Sequence, residues 1–169
     1  MYYTVNIFFR NVHHLSDGRF AAGVWAKHAS FNFDQYSTEY ISPVDASEII
    51  AWMSGPKIVA EFGPTNTEKN ILETTALLKI KHIAIPEKLY SPQFDEIFEE
   101  IFFLEDNTKN LIPPGRDASF FHYPVLNKAG ANVVLESKFT DICIEGIPED
   151  KPGTADYEEL SIFMEYLED

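Results

Sequence analysis

Asp106 and His122 are the side chains best suited to moving a proton near neutrality, because a carboxylic acid and an imidazole both titrate usefully there once their surroundings perturb them. The sequence alone does not bring them into contact. Glu39, Glu87, Glu105, Asp106 and Glu145 fall at the carboxyl ends of the assigned strands or in the loops that follow them. If those strands are parallel, the acids gather at one end, where a ring of carboxylates holds a divalent metal through oxygen ligands or a cationic small molecule. A solvated loop acid is the commoner role for each. His13, His14, His28 and His122 would add nitrogen donors, but no His-x-x-x-His or Cys/His spacing accompanies them, so no metal is assigned. Arg10, Lys27 and Arg116 are the basic groups that remain to hold an anion, although surface positions are the usual place for such residues. Ser119 has no Gly-x-Ser-x-Gly context and is not a nucleophile. With no Gly-x-Gly-x-x-Gly and no Walker sequence, no cofactor is expected.

The elements that must position these residues are clearest between Lys57 and Pro86. Ile58, Val59, Ala60 and Phe62 form a short apolar run closed by Gly63-Pro64, which fits a buried parallel strand. Thr65 or Thr67 then caps a helix carrying Ile71, Leu72, Thr75 and Leu78 at helical spacing, and Ile83 to Ile85 gives a second strand. Strand, helix and strand make a right-handed βαβ unit. Tyr3 to Phe9 reads as a first strand, Asn11 to Gly18 as too short for a full helix, and His28 to Tyr40 as an aromatic, polar loop. Ser42-Pro43 and Ser91-Pro92 both open helices. Phe120 to Leu126 is strand-like, Val133 to Leu135 reads as a helical turn, and Asp141 to Glu145 is a strand. A final helix, capped by Thr154 or Asp156, presents Leu160, Phe163, Met164 and Leu167 on one face. The alternation predicts an α/β fold, either a (β/α) barrel or a compact open parallel sheet.

The chain of 169 residues is expected to form one domain, 1–169, with a packed interior: 45% of it is hydrophobic, with 14 Phe and 8 Tyr. Against 13 basic residues stand 27 acidic ones, a formal charge of -14, which argues against nucleic acid, anionic lipid and anionic substrates. Cys143, the single cysteine, sits between Ile142 and Ile144 and reads as a buried structural thiol. No membrane span or leader is expected, so the reading is a soluble, cytoplasmic protein with no membrane partner. Its aromatic content suits a homodimer formed through an aromatic surface.

The order of segments resembles the phosphoribosylanthranilate isomerases, TIM barrels that carry out an Amadori rearrangement in tryptophan biosynthesis. The resemblance is carried by Gly23-Val24-Trp25, by Ser37-Thr38-Glu39-Tyr40-Ile41-Ser42-Pro43, by Lys57-Ile58-Val59-Ala60-Glu61-Phe62 and by Ile83-Ala84-Ile85-Pro86. The tail adds Asp141-Ile142-Cys143-Ile144-Glu145-Gly146 and Pro152-Gly153-Thr154-Ala155-Asp156. Together they cover somewhat over half the chain. The resemblance implies a ligand at the carboxyl-terminal mouth of the strands, bordered by Glu39, Glu87, Glu145 and Gly146. It places the family's general acid on Asp106 or His122, depending on register.

The departures fall on the chemistry. The cysteine that serves the family as general base has no counterpart in Val5-Asn6-Ile7-Phe8-Phe9-Arg10, and the substrate-contacting arginine matches Glu39. The serines of the phosphate site match Ile144 and Glu145, and a carboxylate there repels phosphate at short range. The chain also allows only about 21 residues for each of eight units, so helices are expected to be reduced before Gly23 and between Glu105 and Asp141. The leading expectation is a diverged, shortened relative without the isomerase activity, acting as a binding or structural protein. An active sugar-phosphate isomerase with substituted groups, and a cation- or metal-binding barrel, remain the alternatives.

Overall fold

The computed structural model describes residues 5–105, 111–112, 121–122, 128–137, 141–149 and 151–168. Among these residues eight strands lie in one sheet: β1 (Asn6–Arg10), β2 (His28–Asn32), β3 (Lys57–Glu61), β4 (His82–Ile85), β5 (Glu100–Leu104), β6 (Leu111–Ile112), β7 (Phe121–His122) and β8 (Asp141–Glu145). Their order is β6-β5-β4-β3-β2-β1-β8-β7, and every pairing is parallel except that of β6 on β5. Because β8 returns to pair with β1, the sheet curls toward closure instead of lying open, and the structure is a TIM-type barrel. The helices are α1 (Leu15–Gly23), α2 (Pro43–Ile50), α3 (Glu68–Leu78), α4 (Phe94–Ile97), α5 (Lys128–Ser137) and α6 (Glu158–Tyr166).

The alternation of side chains along each strand divides the core in two. Outward-facing Ile7, Phe9, Phe31, Ile83 and Ile142 belong to a large cluster packed under the helices. Inward-facing Phe8, Val59, Ala84, Phe102 and Cys143, with Leu111, fill the barrel itself. Strands buried on both faces cannot show a simple hydrophobic alternation, and this explains β2. His28, Ser30 and Asn32 face inward while Ala29 and Phe31 face out, so a stretch expected to be loop is a central strand. Gly23-Val24-Trp25, a strand in the family resemblance, ends and follows α1 instead.

Helix α1 corrects a second expectation, that helix is missing before Gly23. Its buried face is Asp17, Gly18 and Ala21, too small and polar to register as an apolar stripe. A Cβ on Gly18 would stand 2.9 Å from Ile49 Cγ2, so glycine lets α1 lie close against α2. Between β5 and β8, where helices are also expected to be reduced, the described residues hold one helix, α5, of ten residues, and much of that stretch lies outside the described residues; α4, just before β5, is four residues long. Ser42 and Thr67 cap α2 and α3 as expected, and Lys79 closes α3 in the left-handed conformation. Val133 to Leu135 belong to α5, more than the single turn expected. At α6 neither Thr154 nor Asp156 is the cap: Tyr157 holds that position without a side-chain capping bond, and Asp156, one residue earlier, accepts the Glu158 amide at 3.0 Å. No helix among the described residues is long and apolar enough to cross a membrane.

Candidate functional site at the carboxyl-terminal mouth

Parallel strands that end together bring Arg10, Asn32, Glu61 and Glu145 to one end of the barrel. Arg10 and Glu61 are 8% and 1% exposed, and a charge so placed needs a partner. They supply each other: Arg10 Nη2 donates to Glu61 Oε1 at 2.5 Å and Nε to Oε2 at 3.2 Å, a two-pronged contact. Ser30 Oγ also donates to Glu61 Oε2. Burial works to lower the Arg10 pKa, but the charge and hydrogen bond of Glu61, with smaller help from Cys143 and Glu145, carry it above its ordinary value. Below this pair lies the Cys143 thiol, wholly buried, whose pKa burial pushes up against the pull of Arg10. It is held as a thiol, not a thiolate.

Above the pair is a cleft of about 430 Å³ between the loops that follow β1, β2 and β8. The β2–α2 loop delivers Glu39 to it through a chain of turns: Asp34 N donates to Asn32 Oδ1, Ser37 N to Asp34 O and Glu39 N to Ser37 Oγ. His13 Nε2 donates to Tyr40 O at 3.0 Å and ties the β1–α1 loop to that one. His14 caps α1, accepting the Asp17 amide at Nδ1 and donating from Nε2 to Ile147 O at 2.9 Å, so both its nitrogens are engaged. Asp17 is 1% exposed; its carboxylate accepts the His13 amide at 3.1 Å and the Tyr157 hydroxyl at 2.5 Å. Burial raises its pKa despite the opposing Tyr157 hydrogen bond and His14 ring. Gly146 makes this possible: a Cβ there would fall 2.1 Å from Asp17 Oδ1.

Glu39, Glu145 and Gly146, which the family resemblance set at the mouth, line this one cleft. Glu87 does not join them; it borders a separate hollow with Tyr90 and Asp95. Asp106 lies outside the described residues, as do Arg116 and Ser119. His122 is placed by its backbone, in β7 opposite Cys143 of β8. Among the described residues no three His, Cys, Asp or Glu side chains are arranged to hold a metal ion. Sequence reasoning missed Glu61, Ser30 and Asp17. The one available signal was Glu61 itself, a charge embedded in an apolar strand, which has to meet a buried cation.

No family model matches the chain, and no curated protein matches it. Solved structures do. Phosphoribosylanthranilate isomerase from Thermus thermophilus superposes with a TM-score of 0.64 at 13% identity, over 96% of this chain and 98% of that one. Monomers of the dimeric enzyme from Thermotoga maritima give 0.60 at 15% identity over the same shares, 96% and 98%. A phosphoribosylanthranilate isomerase in complex with reduced 1-(o-carboxyphenylamino)-1-deoxyribulose 5-phosphate gives 0.61 at 15%, again over 96% and 98%. At such identities the likeness speaks for architecture, and the architecture is that of the phosphoribosylanthranilate isomerase barrel.

Proposed function

We propose that this chain is a diverged relative of phosphoribosylanthranilate isomerase that no longer performs the rearrangement and binds a small molecule at the mouth of its barrel. The observation that carries this reading is the Arg10–Glu61 pair. The run from Val5 to Arg10, in which the resemblance looks for a thiol base, holds no thiol, and it ends in a guanidinium that has no lone pair to accept a proton and is locked by a buried carboxylate. The lone thiol of the chain is inside the barrel, with its pKa raised. Glu39, in the place of an anion-binding arginine, lines the same cleft as Glu145, so the mouth repels the phosphate and carboxylate such a substrate carries. One lost acid or base removes about 10²–10⁴-fold in rate; the loss of base, arginine and phosphate site together is far harder to absorb.

Expression of the protein in a bacterial strain that lacks the isomerase tests this. No growth without tryptophan is expected. Growth that disappears on Asp106→Asn would reinstate an active isomerase with substituted groups.

A further inference from the structure

Among the described residues, the five large apolar side chains that are more than two-thirds exposed all lie at the two ends of the barrel, on the side built by β2 to β4. At the amino-terminal end of the strands Trp25 (68%) follows α1, Trp52 (71%) follows α2 and Leu77 (72%) is in the last turn of α3. Trp25 is held in the left-handed region, φ 57°, which is uncommon for so bulky a residue. Lysines share that end: Lys27 precedes β2, Lys57 opens β3, and Lys79 and Lys81 precede β4, all of them exposed. Lys57 reaches Glu100 at 3.4 Å, while Lys27, Lys79 and Lys81 form no ion pair among the described residues. Glu99 is the exposed acid beside them; Glu136, Glu165 and Glu168 belong to α5 and α6, which flank β8 in the chain.

At the mouth end of the same side Tyr36 (82%) stands in the loop after β2 and Val44 (69%) in the first turn of α2. Carboxylates surround them: Asp34 and Glu39 in that loop, Asp45 in the first turn of α2 and Glu68 in that of α3. Lys69, next to Glu68, is drawn to Glu73 at 3.7 Å. We infer that these two ends bind each other in successive copies of the chain, the tryptophan and lysine face of one molecule seating on the Tyr36 and Val44 rim of the next. An interface joins an apolar centre to charges of complementary sign, and both halves are present on this one chain. Two like ends meeting across a two-fold axis would set lysine against lysine or carboxylate against carboxylate, so the contact is head to tail and the assembly is an open stack. The formal charge of -14 makes copies repel, but at physiological salt that repulsion is screened beyond about 8 Å while charges in contact still act. An anionic membrane or a nucleic acid would answer the lysines and leave Tyr36 and Val44 unexplained; a second copy accounts for both ends with one contact.

Sedimentation velocity of the purified protein from about 5 to 500 µM tests this. The wild-type mass is expected to rise with concentration and to fall back toward the monomer in about 1 M sodium chloride, where the reach of a charge shrinks to about 3 Å. Trp52→Ser with Lys81→Glu disables one end, and Tyr36→Ser with Asp45→Lys the other; all four side chains are exposed, so both variants should keep the wild-type melting temperature. Each variant alone is expected to stay monomeric, while an equal mixture forms one-to-one dimers that grow no further, because each supplies the end the other lacks. Both tryptophans of the chain lie in this contact, so their emission should move to shorter wavelength as the wild type assembles. A wild type that is monomeric at every concentration, association of either variant by itself, or no dimer in the mixture would each overturn the proposal. Binding of the tryptophan end to phosphatidylserine vesicles or single-stranded RNA more tightly than to a second copy, read by the same emission, would give that end to another partner and overturn it too. None of these results bears on the loss of isomerase activity, which growth reads separately.

Discussion

Arg10 and Glu61 sit inside a barrel whose inward apolar side chains include Phe8, Val59, Ala84, Phe102 and Cys143, so each charge is tolerable chiefly because of the other. Removing one leaves a buried, uncompensated ion. Glu61→Leu or Arg10→Met should each lower unfolding free energy by about 3–5 kcal/mol, whereas the two together should cost much less than the sum. Urea denaturation of the four proteins measures this, and additive losses would contradict the account of the pair. The same residues show the limits of reading by sequence. Glu39, Glu145 and Gly146 came to notice through the family resemblance of the segments that hold them, and they line one cleft. The partnership of Arg10 with Glu61 joins β1 to β3 across β2, and no local pattern announces a contact between strands that are not neighbours in the sheet.

At the opposite end of the barrel the first residues of four successive strands, His28, Lys57, His82 and Glu100, make a polar plug. Glu100 Oε1 lies 2.9 Å from His28 Nε2, 3.1 Å from His82 Nδ1 and 3.4 Å from Lys57 Nζ. Such a plug serves stability, since chemistry in these barrels belongs to the other end. Burial is the chief cause that lowers the pKa of both histidines; Glu100 opposes it in each, and Lys57 and, for His28, Lys27 reinforce it. Glu99 also faces His82 and opposes the shift. For Glu100, burial opposes but His28, Lys57 and His82 prevail, and its pKa is lowered. All three shifts have the same sign for stability: below about pH 6.5 the unfolded chain takes up protons that the folded histidines refuse, and lower still the same holds for Glu100. Stability contributed by the plug is thus present above neutrality and lost on acidification. The formal charge of -14 relaxes on acidification and works the other way, so the plug is best read by difference. The wild-type advantage over His28→Gln/His82→Gln in urea midpoint is expected to shrink from pH 7.5 to pH 5.5; an advantage that grows would contradict that sign.

Those elements also show which parts of the fold were readable in advance. Strand β3, helix α3 and strand β4 were plain because each is apolar or amphipathic, and the helix carries its own cap. Strand β2 was not, because its inward residues belong to the polar interior, and α1 was not, because it buries a carboxylate, a glycine and an alanine.

For the whole molecule, the barrel has the architecture of the phosphoribosylanthranilate isomerases and its mouth is acidic. The neutralised centre, the thiol sealed beneath it and the acidic cleft above all point away from an anionic substrate. The alternation of strands and helices made the architecture legible, since parallel strands need crossovers, and the pairing of β8 with β1 curls the sheet toward closure. The character of the cleft was only half legible, because its floor depends on Asn11 turning into the left-handed region after β1. The most direct test is a calorimetric titration with reduced 1-(o-carboxyphenylamino)-1-deoxyribulose 5-phosphate, the ligand held by one of the similar structures. The account predicts no saturable binding up to about 1 mM, an affinity too weak to hold a substrate in place. Tight binding at the barrel mouth, lost when Glu145→Lys alters the cleft, would contradict it.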